Sequence, residues 1–102
     1  MDYQVILSFP ARSDIQNIVH YISLYNQEQA WRFGLFLIQQ ARSLGQFPSR
    51  GGVVPEFDDE SIREIFVKAY RIVYRLDRNK RTVEIIRFWH AARGTPVVSD
   101  CS

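Results

Sequence analysis

Residues 61–94 read SIREIFVKAYRIVYRLDRNKRTVEIIRFWHAARG. The run is rich in β-branched and aromatic residues and alternates with the period of two that a strand imposes. In its middle, Tyr70, Ile72, Tyr74 and Leu76 fall on one face, and Arg71, Val73 and Arg75 on the other. A strand is therefore expected over Tyr70–Leu76, preceded by one over Ile62–Val67. The polar run Asp77–Arg81 predicts a hairpin turn. A third strand follows from Thr82 to about Trp89. It is apolar on both faces, Val83 and Ile85 against Ile86 and Phe88, as suits a central strand.

Before this stretch the period changes. Tyr3, Val5, Leu7 and Phe9 alternate with Asp2, Gln4, Ile6 and Ser8, which predicts a short opening strand. Pro10 stops the strand and suits a helix first turn. Ala11, Ile15, Ile18, Val19 and Ile22 then recur at helical spacing to about Tyr25. Asp14 lies near the start of that helix, where the macrodipole favours a negative charge. Asn26 ends it or caps the next. A second helix is expected from about Gln27 to Leu44. Ala30, Phe33, Leu37, Ala41 and Leu44 form one stripe, and Trp31, Leu35 and Ile38 a second, so it packs on both the sheet and the first helix. Gly45 closes it. Residues 48–61, PSRGGVVPEFDDES, read as a loop by composition, with Gly51-Gly52 supplying a turn. A loop of that length is uncommon in a small domain. After His90 the chain reads as an irregular tail with a short strand at Val97-Val98.

The order is thus β-α-α-β-β-β, an α+β class. A two-helix hairpin packs on one face of a twisted, mainly antiparallel sheet, in one domain spanning 1–102. The other face is left open, and Arg71 and Arg75 point toward it. The longest apolar run, near Phe33–Ile38, is far too short to span a bilayer. The N-terminal MDYQVILSFPARSD has neither a basic leader nor a long apolar core, so a cytoplasmic location is expected. Cys101 is the sole cysteine; it excludes an internal disulfide and reads as an inert tail residue.

Charge is distributed unevenly. Between Ile62 and Gly94, nine basic residues face only Glu64, Asp77 and Glu84, a net of +6 against +2 for the whole chain. Such segregation indicates a partner carrying phosphate or acidic groups. His20 and His90 are far apart and no HxxH or CxxC spacing exists, so no metal and no cofactor is expected. His20 reads as a helix-surface residue. Glycine loops for nucleotides and a recognisable serine elbow are also lacking. What remains is Arg63, Lys68, Arg71, Arg87, His90 and Arg93. Three readings stay open for that cluster: a solvated basic face, a phosphate site with His90 moving a proton, or a docking surface for an acidic partner.

Several segments together carry a family resemblance: YQVILSFPARSDIQNIVHYI, SLGQFPSRGGVVPEF, IREIFVKAYRIVYRLD and VEIIRFWHAARG. The chain resembles toxins of the RelE/ParE superfamily, from bacterial type II toxin-antitoxin modules, over nearly its whole length. REIFVKAYRIVYR and RFWHAARG are the most specific pieces. The resemblance implies growth arrest, and for such modules plasmid stabilisation. It does not choose between two activities. Ribosome-dependent members are metal-independent mRNA endonucleases (mRNA interferases). By that analogy Arg71, Arg87 and His90 are catalytic, while Arg63, Lys68, Arg75 and Arg93 bind target or phosphate. Several of these nucleases place a tyrosine close to the C-terminus, and none follows Tyr74 here. ParE-like members inhibit DNA gyrase, and the ending HAARG is closer to their style, so that activity is favoured. A degenerate, non-toxic binding protein is the third possibility. The resemblance further implies a cognate antitoxin, forming a toxin–antitoxin hetero-oligomer. Part of the antitoxin folds onto the toxin and must bury apolar surface there. Trp31 and Leu35 are candidates to receive it, their alternative being a place in the ordinary core.

Overall fold

The computed structural model describes residues 2–98; Cys101 lies outside them. The chain opens with β1 (Gln4–Leu7) and turns directly into α1 (Phe9–Ser23). Ser8 makes that junction possible. Its Oγ accepts the Ala11 N–H at 3.2 Å, capping the helix, and donates to the Ile86 carbonyl at 3.0 Å, tying the cap to the sheet. Phe9, expected in the strand, is thereby the first residue of the helix, and α1 ends two residues earlier than its periodicity suggests. Asn26 caps α2 (Gln27–Arg42) through the Gln29 N–H at 2.9 Å. The last turn of the expected helix tightens to a 3₁₀ turn over Ser43–Gly45.

The rest is sheet. β2 (Gly52–Val53), β3 (Ile62–Val67), β4 (Tyr70–Asp77) and β5 (Thr82–His90) follow, closed by a 3₁₀ turn over Ala91–Arg93. The five strands lie in the order β1-β5-β4-β3-β2. β1 runs parallel to β5, and the other neighbours are antiparallel. β2 is a correction to the sequence reading, which left 48–61 without a strand. So is the tail: Val97-Val98 forms no strand. Gly52 takes part in β2, while Gly51 permits a close crossing. A Cβ on Gly51 would stand 2.6 Å from both the Glu64 carbonyl and the Tyr74 hydroxyl. Tyr74 fastens this crossing, accepting the Gly51 N–H at 2.9 Å and donating to the Pro48 carbonyl at 2.8 Å.

Both helices cover one face. Ala11, Leu37, Ala41 and Leu44 pack on Ile72, Tyr74, Leu76, Val83 and Ile85, all fully or almost fully buried. Tyr70, Ile72 and Tyr74 lie beneath the helices and Arg71 lies opposite, as the alternation requires. β5 departs from strict alternation. Val73 pairs with Arg87 and Tyr74 with Ile85, leaving Ile86 as an extra, bulged residue. Ile86 therefore turns away from the helices, while Phe88 returns beneath them. The face away from the helices is not open, as expected, but partly roofed. Val54, Ile62, Val73 and Ile86 form a small second core, with Phe57 and Val98 packed against it. The segment after β2 and the tail supply that roof. No helix among the described residues is long and apolar enough to cross a membrane.

Candidate functional site

The basic strands do not present their central arginines freely. Arg71 projects from β4 on the roofed face and is only 7% exposed. Its Nε donates to Glu64 Oε1 at 2.5 Å, and its two terminal nitrogens grip both Glu56 oxygens at 3.0 and 3.1 Å. Nη1 also donates to the Gly94 carbonyl at 3.3 Å. Arg71 thus joins β3, the segment after β2 and the tail. Its hydrogen bonds to Glu56, then those to Glu64, hold it charged beyond the usual arginine range. In return the Arg71 bond lowers the pKa of the Glu56 carboxyl.

Arg87 repeats the pattern at the other edge. Nε and Nη2 bind the two oxygens of Asp14 at 2.7 and 2.8 Å, and Nη1 donates to the Val97 carbonyl at 3.1 Å. Asp14 also accepts the Phe88 N–H at 3.0 Å. Asp14 was expected to serve the α1 dipole; it is instead buried, taking over the edge of β5 where β1 has ended. The Asp14 bond raises the Arg87 pKa.

Around Trp89 three of the sequence-predicted residues meet. The Arg87 and Arg93 guanidiniums lie 4.8 and 4.1 Å from the indole centroid. The indole N–H donates to the Gly94 carbonyl at 3.1 Å, the same oxygen that Arg71 reaches. His90 does not stack on Trp89 with these arginines, although it lines one hollow with Arg93. It pairs with Tyr70, whereas Trp89 pairs with Arg71, so His90 faces the helix side. Its ring meets Tyr70 edge-on at 5.1 Å, and its Nδ1 accepts the Ala92 N–H at 3.1 Å. The β5 bulge lies before Arg87 and leaves Arg87 and His90 on opposite faces.

The remaining basic candidates are scattered. Arg63, across from Tyr74, donates to the Gly51 carbonyl at 2.9 Å, and its Nε is buried without a hydrogen-bond partner. Arg75 has the same unpartnered Nε but lies on the opposite face, across from Ile62 and Glu84. Lys68 sits in the β3–β4 turn at a left-handed φ of 56°, its ammonium 5.8 Å from the Phe36 ring. Sequence reasoning missed the three carboxylates that decide all this. Glu64 was legible as a neighbour across the β3–β4 hairpin. Asp14 and Glu56 carried no signal, because their partners lie 73 and 15 residues away. Among the described residues, no group of three or more His, Cys, Asp or Glu side chains is placed to hold a metal.

The second candidate surface is on the helical hairpin. Trp31 and Leu35 are 65% and 46% exposed. With Ile15, Val19, Gly34 and Ile38 they line an apolar groove of about 300 Å³ between α1 and α2. Gly34 forms its floor, since a Cβ there would come within 2.7 Å of Val19 Cγ2. Tyr21, Leu24 and Tyr25 extend the exposed apolar surface to the hairpin tip.

The two-helix hairpin on a five-stranded sheet is a fold shared with solved structures. The chain is similar to a chain of the chromosomal ParDE toxin–antitoxin system from P. aeruginosa. The TM-score is 0.71 at 19% identity, covering 86% of this chain and 95% of that one. It is also similar to a chain of the RelBE2 toxin–antitoxin complex from Mycobacterium tuberculosis. There the TM-score is 0.68 at 23% identity, with 88% and 99% covered. A mutant of the E. coli toxin RelE in the free state matches with a TM-score of 0.62 at 18% identity, with 92% and 88% covered. No curated protein matches the chain. Residues 5–94 match the family of ParE toxins of the type II toxin-antitoxin system parDE, and the chain belongs to that family.

Proposed function

We propose that this toxin arrests growth in the ParE manner, by docking on DNA gyrase in the cytoplasm, rather than by cutting mRNA on the ribosome. One observation carries the reading. Arg71 and Arg87, the cations a nuclease would aim at a phosphate, are bound to carboxylates of their own fold, and His90 faces the other side of the sheet. Proton transfer needs a group within hydrogen-bond reach of the reacting atoms. A docking inhibitor has no such requirement and uses shape and distributed charge. The exposed groove at Trp31 and Leu35 is the proposed seat of the cognate antitoxin, whose apolar side chains would fill it.

The test is induced expression in bacteria, with DNA supercoiling and mRNA integrity followed separately. Loss of supercoiling before any specific mRNA cut is the expected result, with antitoxin co-expression relieving the arrest. His90→Ala should stay toxic. Site-specific mRNA cuts that vanish in His90→Ala would instead establish the RelE-like endonuclease. Normal growth with folded protein would identify a non-toxic binding protein.

A further inference from the structure

A trough of about 480 Å³ lies between α1 and the C-terminal end of β5, lined by Asp14, Asn17, Tyr21, Tyr70, His90 and Arg93 together with Ile18 and Phe88. It is separate from the hairpin groove, and it includes His90 and Arg93 but not Arg71 or Arg87 of the residues the endonuclease analogy would use. Its size suits a small molecule. We propose that this trough binds a small aromatic anion, a planar ring bearing a phosphate or carboxylate group.

The chemistry of the lining selects that class. Asp14, its one carboxylate, already has both oxygens on Arg87 and a further bond from the Phe88 N–H, so it does not repel an anion as a free carboxylate would. Arg93 is held over Trp89 and has no carboxylate partner among the described residues. Its guanidinium offers the planar donor fork that binds phosphate or carboxylate bidentately. His90 adds a donor. Because Nδ1 accepts the Ala92 N–H, the ring proton of the neutral imidazole resides on Nε2. Tyr21, Tyr70 and Phe88 supply aromatic walls for a ring, and the Asn17 amide a further polar contact. Burial, the first cause, and the neighbouring Tyr21 raise the Tyr70 pKa, which keeps its hydroxyl neutral and able to donate. The hollow at Phe33 and Phe36 also joins rings to cations, but it has no histidine and its Arg32 is already bound to Glu28 at 2.7 Å. The hairpin groove has no charged lining, and the hollow at Arg63 and Arg78 includes Glu60 and no ring.

Histidine side-chain NMR on the whole chain tests the proposal, because His20 is exposed on α1 and does not line the trough. Titration with phenyl phosphate and with benzoate should give a saturable shift of the His90 ring while His20 stays still. Inorganic phosphate alone should bind at least about tenfold more weakly, the ring's burial being lost. Arg93→Ala should weaken phenyl phosphate roughly ten- to a hundredfold, and Arg93→Lys less, since a charge-assisted bond is removed in one and partly kept in the other. Arg93 is exposed, so unchanged amide signals across the sheet will show that both variants fold. Absence of a saturable His90 shift with either aromatic anion would overturn the site. So would equal shifts of both histidines, or undiminished binding in Arg93→Ala.

Discussion

The two faces of the sheet are held together by different forces. Beneath the helices the contacts are mainly apolar, from Ala11 and Leu37 down to Ile72 and Ile85, and the one buried charge of α1, Asp14, sits at the edge of β5. On the far face four buried apolar residues among those described, Val54, Ile62, Val73 and Ile86, form a core, and guanidiniums bridging carboxylates add to it. The difference follows from what each face must join. Helices bring long apolar stripes to the sheet. The segment after β2 and the tail bring few apolar side chains, and are fastened instead by Glu56, Gly94 and Val97 to arginines. The lesson is that a basic strand is not by itself a cationic surface. The two arginines nearest its centre are spent on the fold, and the available positive charge is displaced to the periphery.

Arg71 and Ile72, neighbours that point to opposite faces, allow that contrast to be broken directly. Arg71→Ala strands the buried Glu64 and frees the Glu56 segment, and should cost about 3–5 kcal/mol of unfolding free energy, as for other broken buried pairs. Ile72→Ala should cost about 2–5 kcal/mol through cavity formation. Urea denaturation measures both. The signature lies in compensation. Replacing Arg71 by Met together with Glu64→Leu should recover most of the Arg71→Ala loss, whereas no single polar change rescues Ile72→Ala. Equal and small effects at Arg71 and at an exposed arginine would show that the far face is held by something else.

Asp14 gives the next effect in size. Asp14→Asn keeps one acceptor but leaves Arg87 without its bidentate partner and the Phe88 N–H in competition for a single oxygen. A loss of about 1–3 kcal/mol is expected, the usual range for a charged hydrogen bond. Melting followed by circular dichroism is sufficient to see it. A neutral result would mean that Ser8, not Asp14, holds α1 to the edge of β5.

Much of this architecture was legible beforehand. The period of two in Tyr70–Leu76 placed Arg71 opposite the helices, and the change to helical spacing after Pro10 marked the hairpin. The bulge at Ile86 was not legible, since an extra residue in a strand looks like a strand with two apolar faces. β2 was hidden because a two-residue strand has no period to detect. At the site, the positions of Arg71, Arg87 and His90 on their strands were readable, but their surroundings were not. Glu56 and Asp14 reach them through tertiary folding, and a count of charges along the chain cannot show which are paired in space.

The far face should also answer to acid where the helix-side core does not. Glu56 is lowered from its ordinary value chiefly by the Arg71 hydrogen bond. A carboxyl whose folded pKa is depressed contributes stability that is fully present above its unfolded value, about 4.3 for glutamate, and is lost as pH falls through the folded value. Acid therefore loosens the Glu56 segment below about pH 4. Trp89, bonded to the same Gly94 carbonyl as Arg71, should report this by fluorescence, compared against Trp31→Phe to isolate its signal. Glu56→Gln should show the acid-like signal already at neutral pH. An unchanged acid transition in that variant would assign it to another carboxyl.

The smallest expected effect on stability is at the hairpin groove, and there the consequence for partners is expected to be largest. Trp31 projects into solvent and buries little against its own chain, so Trp31→Ala should alter unfolding free energy by less than about 0.5 kcal/mol, as for other surface positions. The same change removes a large aromatic surface from the proposed antitoxin seat, where exposed tryptophans dominate binding energy. Antitoxin affinity measured by titration calorimetry should fall by at least about 2 kcal/mol, roughly thirtyfold. Leu35→Ala should act in the same direction with less force. The pairing of results is decisive, because a residue of the ordinary core would lose stability in proportion to binding. Trp31→Ala that is stable and still bound at full affinity would place the antitoxin elsewhere, and leave the groove at Gly34 without a partner.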